Sequence, residues 1–282
     1  MKVYEFCLAN RVFRLEHCQK IRVNSAFIPF LVCNQKPDCV VSFLENENLH
    51  FYKGRQVFSD ISLEILQTEE GFVRQYWEAK ENCRPYAVNR IGQDRKTVNI
   101  EYLPEFRKAF DEARNSFSHI GLEELLLYQQ RMILHASFVE HEGEGILFSG
   151  PSGIGKSTQA DLWKEKEGAE IINGDRPILG VKDGAWTAWG SPYAGSSGYH
   201  IQRSAPIKAI VMLAQGSENH VQRLNVRQAV SAILAQTTMN SWNPQNVERT
   251  VDLVMQLAAA VPVFRLQCTP NEKAVEVLKE YL

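Results

Sequence analysis

The sequence predicts an α/β protein in which a smaller β-rich domain, residues 1–117, precedes an α/β domain with flanking helices, residues 118–282. Two observations support this organisation. Before about Tyr102, apolar residues recur in short runs that alternate with polar residues, which is typical of strands with one buried face. After about His119, apolar runs of strand length alternate with helical patterns, as in α/β domains.

In the first domain, turns separate short runs of residues that favour β-strands. Strands are predicted over residues 3–6, 12–15, 72–76 and 97–102, which are rich in β-branched and aromatic residues. Turn residues stand at Lys53-Gly54, Glu70-Gly71 and Gly92-Gln93-Asp94. No residues here have catalytic spacing, and we interpret His17 and His50 as core or surface residues rather than ligands.

A helical bridge follows the β-rich region. Pro104 suits the first position of a helix. The apolar face of that helix would contain Phe106, Phe110, Ala113 and Phe117. A second amphipathic helix would bury Leu122, Leu125, Leu126 and Met132. We place the domain boundary within this bridge, near Ser118.

The second domain combines apolar strands with amphipathic helices. The predicted strands are residues 136–139, 146–149, 170–173, 178–182, 186–189, 206–213 and 261–266, and the predicted helices include residues 225–236 and 243–260. A last helix opens with a sequence typical of a capping box, Thr269-Pro270-Asn271-Glu272.

A complete Walker A sequence lies in the middle of this domain. Its nine residues are Gly150, Pro151, Ser152, Gly153, Ile154, Gly155, Lys156, Ser157 and Thr158. An apolar strand precedes it and a helix follows it, which is the context in which this pattern binds phosphate. The alternative interpretation is a glycine-rich turn before a surface helix.

The residue types of this loop match the chemistry of a nucleoside triphosphate. Backbone N–H groups and the positive end of the helix dipole would converge on phosphate oxygens. Lys156 would neutralise the β- and γ-phosphates, and the hydroxyl of Ser157 would ligate Mg²⁺. The sequence therefore predicts binding of a nucleoside triphosphate together with Mg²⁺.

Asp175 is the second chemical element. It follows the strand predicted at residues 170–173, and a carboxylate in that place could hold Mg²⁺ or accept the proton of an attacking hydroxyl. The alternative is that Asn173-Gly174-Asp175 is only a turn or a helix cap. Arg176 could contact phosphate or pair with a surface acid.

Three segments together resemble the HPr serine kinase family: residues 134–137, 150–158 and 173–177. Residues 190–195, 206–210 and 261–270 are similar to HPr-kinase-like proteins found outside the sugar-uptake system. The resemblance covers about residues 130–280. It implies a P-loop domain with a mixed sheet and flanking helices, related to the ATP-dependent phosphoenolpyruvate carboxykinases.

The resemblance implies an ATP-dependent kinase that phosphorylates a serine-type hydroxyl. It places His135 beside the catalytic acid, so our candidate catalytic residues are Asp175, Lys156, His135 and Arg176. In the family the acid stands in an Asp-Asp-Arg sequence, but this chain has Gly174 in place of the first aspartate. Asp175 would then serve as both base and metal ligand, or another residue would help.

Several assignments stay open at this point. From its neighbours alone, His135 is better interpreted as a buried core histidine, and only the resemblance favours a role in the site. Arg203 could contact phosphate, and residues 195–198 could form a substrate loop or an ordinary surface loop. No clear copy of the loop with which HPr kinases hold their protein substrate is visible, so HPr is not the expected acceptor. We expect the first domain to lean over the cleft or to present the substrate.

The composition limits the partners and the cellular location that we expect for this protein. The formal net charge is −2, from 31 basic and 33 acidic residues, which argues against nucleic acid or a membrane surface as a partner. No apolar run approaches bilayer length, and the N-terminus lacks a secretory apolar segment. The six cysteines lack a C-x₂-C spacing, and Cys33 and Cys39, the closest pair, could be free thiols or share a disulfide or a metal. A cytoplasmic protein, acting alone or as a homo-oligomer, is expected.

Three classes of function fit these observations. The first is a Mg²⁺-ATP-dependent kinase whose acceptor is a hydroxyl of a peptide, a protein or a small molecule. The second is a nucleotide-binding regulator or accessory protein with slow hydrolysis, which the loss of an acid at Gly174 favours. The third is another phosphate-handling enzyme of this architecture, such as a nucleotide hydrolase.

Overall fold

The computed structural model describes residues 1–78 and 84–282, so Cys83 lies outside the described residues. The chain forms two compact units. The first contains Met1–Tyr128 and Ser241–Pro244, and the second contains Gln129–Asn240 and Gln245–Leu282. The sequence placed the division near Ser118, whereas the bridging helices up to Tyr128 fall within the first unit.

A mixed sheet, nine-stranded in the described residues, dominates the first unit. Its strands are β1 (Lys2–Leu8), β2 (Arg11–His17), β3 (Leu31–Val32), β4 (Cys39–Glu45), β5 (Arg55–Ser59), β6 (Leu63–Thr68), β7 (Gly71–Tyr76), β8 (Ala87–Ile91) and β9 (Thr97–Tyr102). They lie in the order β3-β1-β2-β4-β9-β8-β7-β6-β5. Neighbouring strands are antiparallel except for β2 with β4 and β4 with β9. The four runs predicted from the sequence lie in β1, β2, β7 and β9, and those predictions are confirmed.

The helical bridge differs from the single long helix that the sequence suggests. A 3₁₀ helix spans Pro104–Phe110, and a separate helix, α1, spans Ala113–His119. Between them the backbone of Glu112 is extended, because Arg22 pairs with this segment as in a β-bridge. The N–H of Arg22 donates to the carbonyl of Asp111 at 2.7 Å, and the N–H of Ala113 donates to the carbonyl of Arg22 at 2.9 Å.

The second predicted helix is also shorter than expected. Helix α2 spans Leu122–Tyr128 and buries Leu122, Leu125 and Leu126 as predicted. The prediction was wrong for Met132, which lies in strand β10 (Arg131–Ile133) instead. Gln130 precedes that strand with a φ of 58°, a left-handed conformation that a continuing helix cannot contain.

The second unit is an α/β structure built on another mixed sheet. Its further strands are β11 (Ala136–His141), β12 (Glu144–Ser149), β13 (Glu170–Asn173), β14 (Ile178–Lys182), β15 (Ala185–Trp189), β16 (Ser204–Gln215), β17 (His220–Arg223) and β18 (Val263–Cys268). Its helices are α3 (Lys156–Glu167), α4 (Val226–Leu234), α5 (Pro244–Ala260) and α6 (Lys273–Lys279). The main path of the sheet runs β10-β14-β15-β16-β12-β11-β13, and β18 pairs with β16 and β17.

The strand directions decide where the loops of this unit meet. Strands β12, β16 and β18 are parallel, so their carboxyl ends lie at one edge of the sheet. Strand β11 is antiparallel to both β12 and β13, so its beginning lies at that same edge. Strands β11 and β12 form one hairpin and strands β14 and β15 another, with two-residue turns at 142–143 and 183–184.

Helix α3 is anchored to this sheet by its apolar face. Trp163 is buried in one core cluster with Phe148 of β12, Val211 of β16 and Leu266 of β18. The ring centroids of Trp163 and Phe148 are 6.2 Å apart. Side chains of this size dominate the free energy of burial, so the start of α3 is held firmly over the carboxyl end of β12.

The predicted capping box of the last helix is wrong. Helix α6 begins after Glu272, which has helical backbone angles and no capping hydrogen bond from its side chain. The hydroxyl of Thr269 donates to Oδ1 of Asn219 at 3.3 Å, and the carboxylate of Glu272 pairs with Lys166. Tertiary partners therefore take both side chains that the box requires.

The described residues contain no helix that has both the length and the apolar character of a membrane span.

Candidate functional site

The candidate site begins at the loop between β12 and α3. Strand β12 ends at Ser149, and α3 begins at Lys156 with Gly155 as its N-cap residue. Gly150 has a φ of 146° and Gly155 a φ of 113°, conformations that residues with a side chain rarely adopt. A Cβ atom at position 150 would also lie 3.2 Å from Cγ2 of Ile154. The glycines of the pattern are thus required by the shape of the loop.

A cavity of about 310 Å³ opens beside this loop. Its lining combines the loop, the turn after β13 and a segment of residues 195–197. The lining residues are His135, Ser152, Gly153, Gly155, Lys156, Ser157, Thr158, Gly174, Asp175, Gly195, Ser196 and Ser197. Lys156, Ser157 and Asp175, which the sequence assigned to one phosphate and metal site, therefore lie around one cavity.

Lys156 is buried in the wall of the cavity. Its Nζ donates to the carbonyl oxygens of Gly150 and Pro151, each at 3.0 Å. Burial lowers the pKa of Lys156, Asp175 opposes that shift, and the positive charge of Arg176 adds to it. The ammonium group is thus short of negative partners and suited to attract an anion such as a phosphate.

The turn that carries Asp175 is fixed by the fully buried side chain of Asn173. Its Oδ1 accepts from the backbone N–H groups of Asp175 at 3.2 Å and of Arg176 at 2.8 Å. Its Nδ2 donates to the carbonyl of Ser191 at 2.9 Å. The segment is therefore an Asx turn, as one interpretation of the sequence has it, and it also directs the carboxylate of Asp175 into the cavity.

His135 contacts the carboxylate of Asp175. Its Nε2 lies 3.2 Å from Oδ1 of Asp175, and its backbone N–H donates to the carbonyl of Gln236 at 2.9 Å. Burial lowers the pKa of His135, and Lys156 and Arg176 lower it further against the opposing charge of Asp175. The imidazole is therefore neutral at pH 7, and the contact indicates that its Nε2–H donates to the carboxylate.

Arg176 lies next to Asp175 but is not among the described residues that line the cavity. Its Nε is 3.4 Å from Oδ2 of Asp175, and its Nη1 donates to the hydroxyl of Thr238 at 3.0 Å. In this conformation its guanidinium group acts on Asp175 rather than on the phosphate loop. Arg203 pairs with Glu140 and Glu170, which are outside the cavity lining.

The glycine at position 174 has a steric reason. A Cβ atom there would lie 1.6 Å from Oγ and 2.7 Å from Cβ of Ser197. The hydroxyl of Ser197 in turn donates to the carbonyl of Ala194 at 2.8 Å. The segment of residues 195–198 therefore packs directly on the turn that carries Asp175, in the space where an aspartate at position 174 would place its side chain.

Two oxygen ligands in the cavity fit a magnesium ion. The hydroxyl of Ser157 and the carboxylate of Asp175 both line it, and Mg²⁺ in nucleotide sites takes one or two such protein ligands together with phosphates and water. Among the described residues, no group of three or more His, Cys, Asp or Glu side chains could hold a metal on its own. The donor set thus matches a metal that arrives with a nucleotide.

Sequence reasoning included Ser137, Asn173 and Ser197 only as members of the segments 134–137, 173–177 and 195–198, and it did not predict the contacts that they make in this site. Ser137 donates through its hydroxyl to the carbonyl of Gly174 at 3.1 Å, and Asn173 and Ser197 shape the same turn. Asn173 carried a signal, because Asn two residues before an acid is typical of an Asx turn. Ser137 and Ser197 are contacts distant in sequence, which no local pattern indicates.

The family model described as "SynChlorMet cassette protein ScmC" matches residues 124–280 of this chain. This chain belongs to the ScmC family. The matched residues contain the whole candidate site. None of the curated proteins matches this ScmC family member.

Among solved structures, the protein is similar to the Hpr(Ser) kinase/phosphatase from Coxiella burnetii. The identity is 12% and the TM-score is 0.34, and the match covers 53% of this chain and 95% of the other.

The charges around His135 lead to a prediction about its pKa. Lys156→Met should raise the pKa of His135 toward 6.5, since it removes a cation that lowers it, and Asp175→Asn should lower it further. An NMR titration of the imidazole measures both shifts. Lys164→Met removes an exposed charge from the same helix and is the control. An unchanged midpoint in Lys156→Met would contradict the geometry described here.

The contact between positions 174 and 197 leads to a second prediction. Gly174→Ala should lower the free energy of unfolding by about 1–3 kcal/mol, the usual cost of overpacking. Ser197→Gly should restore part of that loss, because it removes the clashing atoms. Urea denaturation of the single and double variants measures the coupling. Ser196→Gly is the matched control, and equal rescue by it would show that the contact is not specific.

Proposed function

We propose that this protein is a Mg²⁺-ATP-dependent kinase that transfers the γ-phosphate to a serine-type hydroxyl of a peptide, a protein or a small molecule. The observation that carries the proposal is the convergence of Lys156, Ser157, Asp175 and His135 on one cavity beside a Walker A loop. The resemblance of residues 134–137, 150–158 and 173–177 to the HPr serine kinase family supports the same reaction.

In this proposal, the loop binds the phosphates and Asp175 accepts a proton from the acceptor hydroxyl. The backbone N–H groups of the loop and the ammonium group of Lys156 hold the β- and γ-phosphates. Asp175 accepts the proton of the acceptor hydroxyl as its oxygen bonds to the γ-phosphorus. The bond from that phosphorus to the β–γ bridging oxygen breaks, and ADP leaves. When bound, Mg²⁺ would be held by Ser157 and Asp175 and would neutralise phosphate charge.

His135 and Arg176 act on the carboxylate in this scheme. Neutral His135 donates a hydrogen bond to Oδ1 of Asp175, which fixes the orientation of the carboxylate. Arg176 approaches Oδ2 from the other side, held by Thr238. A carboxylate oriented in this way lies in a constant position with respect to the acceptor, which is what a general base requires.

A neighbouring cavity provides space for the acceptor. It has a volume of about 300 Å³ and shares Ser157, Gly174, Ser196 and Ser197 with the first cavity. Asp161 and Tyr199 line its far part. These hydroxyl and carboxylate groups suit a polar acceptor, in accord with a hydroxyl compound or a peptide. The proposed setting is the cytoplasm, where exposed thiols such as Cys18 and Cys33 stay reduced.

One observation favours a second candidate, a nucleotide-binding regulator or slow hydrolase without an acceptor. The contact between Gly174 and Ser197 leaves no room for a second carboxylate in the turn, so one acid has to serve as base and as metal ligand. The two candidates differ in the fate of the phosphate. ADP formation that depends on an acceptor, followed by mass spectrometry of peptide and metabolite pools, identifies a kinase. Acceptor-independent ADP formation alone identifies a hydrolase.

Removal of the lysine should weaken nucleotide binding. Lys156→Ala should reduce the affinity for Mg²⁺-ATP about 10- to 150-fold, because a hydrogen bond to a charged group contributes about 1.5–3 kcal/mol. Calorimetric titration measures the affinity, and Lys164→Ala, an exposed position on α3, is the control. A folded Lys156→Ala variant with the parent's affinity and turnover would rule out the phosphate role of the loop.

Removal of the carboxylate charge should stop the transfer of phosphate. Asp175→Asn should reduce phosphoryl transfer by at least about 100-fold, since general base catalysis contributes about 10²–10⁴-fold, and should leave part of the nucleotide affinity. The matched control is Asp183→Asn in the exposed turn between β14 and β15. Activity equal to the parent's would assign the base elsewhere and favour the regulator.

A further inference from the structure

A third cavity lies against the phosphate loop. Its volume is about 390 Å³, within the range of about 300–1,000 Å³ that is usual for small-molecule sites. It is lined by Gly153, Ile154, Gly155, Thr158, Gln159, Gln215, Gly216, Cys268 and Pro270. Gln215 and Cys268 are the last residues of the parallel strands β16 and β18, so the cavity lies at the carboxyl ends of the strands, where α/β sheets bind ligands.

This cavity contains a buried polar group without a partner. The side chain of Gln159 is only 2% exposed, and its Oε1 has no hydrogen-bond partner in the described part of the chain. Its Nε2 donates to Sγ of Cys268 at 3.4 Å, which fixes the amide in the cavity wall. A buried acceptor that is left unpaired costs about 1–3 kcal/mol, so the position of Gln159 is explained best by a ligand that donates to it.

The cavity adjoins the proposed phosphate site. Gly153, Gly155 and Thr158 line both cavities. A nucleotide whose phosphates lie in the first cavity would pass Thr158 and place its nucleoside in the second. Ile154 and Pro270 offer apolar surface to a flat ring there, and Gln159 offers the polar contact at the edge.

We propose that this cavity binds the adenine base of the nucleotide and that Gln159 selects adenine by accepting a hydrogen bond from its exocyclic amino group. The inference rests on the proposed function, because it names the nucleoside of the same ligand.

The donor pattern of the bases supports adenine over guanine. The exocyclic amino group of adenine is adjacent to ring nitrogens that accept, a pattern that an amide side chain matches. The Watson–Crick edge of guanine presents two donors side by side, which a carboxylate matches best. Among the described residues, the lining of this cavity includes no Asp or Glu. Selection of adenine over guanine therefore depends on the amide of Gln159, and we expect a modest preference for ATP over GTP.

Calorimetric titration of the full chain with Mg²⁺-ATP, Mg²⁺-GTP and Mg²⁺-tripolyphosphate tests the proposal. We expect the parent to bind ATP more tightly than both other ligands. Gln159→Met conserves the volume but removes the acceptor, and it should weaken ATP binding about three- to tenfold while leaving tripolyphosphate binding unchanged. Gln222→Met, at an exposed position of β17, is the matched control and should change neither.

The outcomes separate this inference from the proposed function. Equal affinity for ATP and GTP in the parent, or an unchanged ATP affinity in Gln159→Met, would overturn the adenine site while the phosphate site stands. A parent that binds neither ATP nor tripolyphosphate would overturn both.

A second measurement on the parent needs no variant in the cavity. Cys268 is partly exposed and lines the cavity, so alkylation of its thiol, quantified by peptide mass spectrometry, reports on occupancy. Burial raises the pKa of Cys268, which makes the reaction slow enough to follow. Mg²⁺-ATP should protect Cys268, tripolyphosphate should not, and exposed Cys33 should react equally in all cases. Equal protection by tripolyphosphate, or no protection by ATP, would overturn the inference.

Discussion

The antiparallel pairing of β11 with both β12 and β13 is the constraint on which the candidate site depends. The register pairs Ala136 with Ser149 and Phe138 with Asn173, so the start of β11 lies beside the ends of its two neighbours. His135 directly precedes β11, the phosphate loop directly follows β12, and the turn of Asp175 directly follows β13. The backbone hydrogen bonds of these two pairings thus bring the three segments together. A shift of the register by one residue would turn every side chain of β11 to the other face of the sheet and separate the site.

The electrostatics of the site follow from that placement. A partly buried region contains two positive charges, on Lys156 and Arg176, and one negative charge, on Asp175. Charges interact more strongly there than in water. The imidazole of His135 is neutral there, because a third cation would be disfavoured by burial and by the charges of Lys156 and Arg176. The backbone carbonyls of Gly150 and Pro151 are weak partners for the ammonium group of Lys156. A phosphate would replace them with a full negative charge, so the free energy of binding is concentrated at the loop.

The parts of the fold that depend on local signals could be predicted from the sequence, and the parts that depend on distant contacts could not. The hairpins β11–β12 and β14–β15 and the loop before α3 are specified by turn residues and glycines within a few positions. The break between the 3₁₀ helix and α1 depends on Arg22, about ninety residues away along the chain. The prediction of a capping box was wrong for the same reason, because Asn219 and Lys166 bind the side chains of Thr269 and Glu272 that the box needs. Of the candidate catalytic residues, Lys156, Asp175 and His135 line one cavity and Arg176 does not. The contact of Ser197 with position 174 and the burial of Gln159 are visible only once the fold is known.

This chain has Gly174 where the Asp-Asp-Arg sequence has its first aspartate, and the packing of Ser197 on that glycine depends on the difference. The missing side chain at position 174 lets the segment of residues 195–198 lie directly on the turn that carries Asp175. A Cβ atom added at position 195 would lie 3.0 Å from Cβ of Asp175. The segment and the acid therefore form one packed unit, held through Ser197 to Ala194 and through Asn173 to Ser191. A second aspartate would require this segment to lie farther away, because its Cβ atom would overlap the side chain of Ser197. A side chain at position 174 and a segment packed this closely therefore exclude each other, and this chain has the closely packed segment.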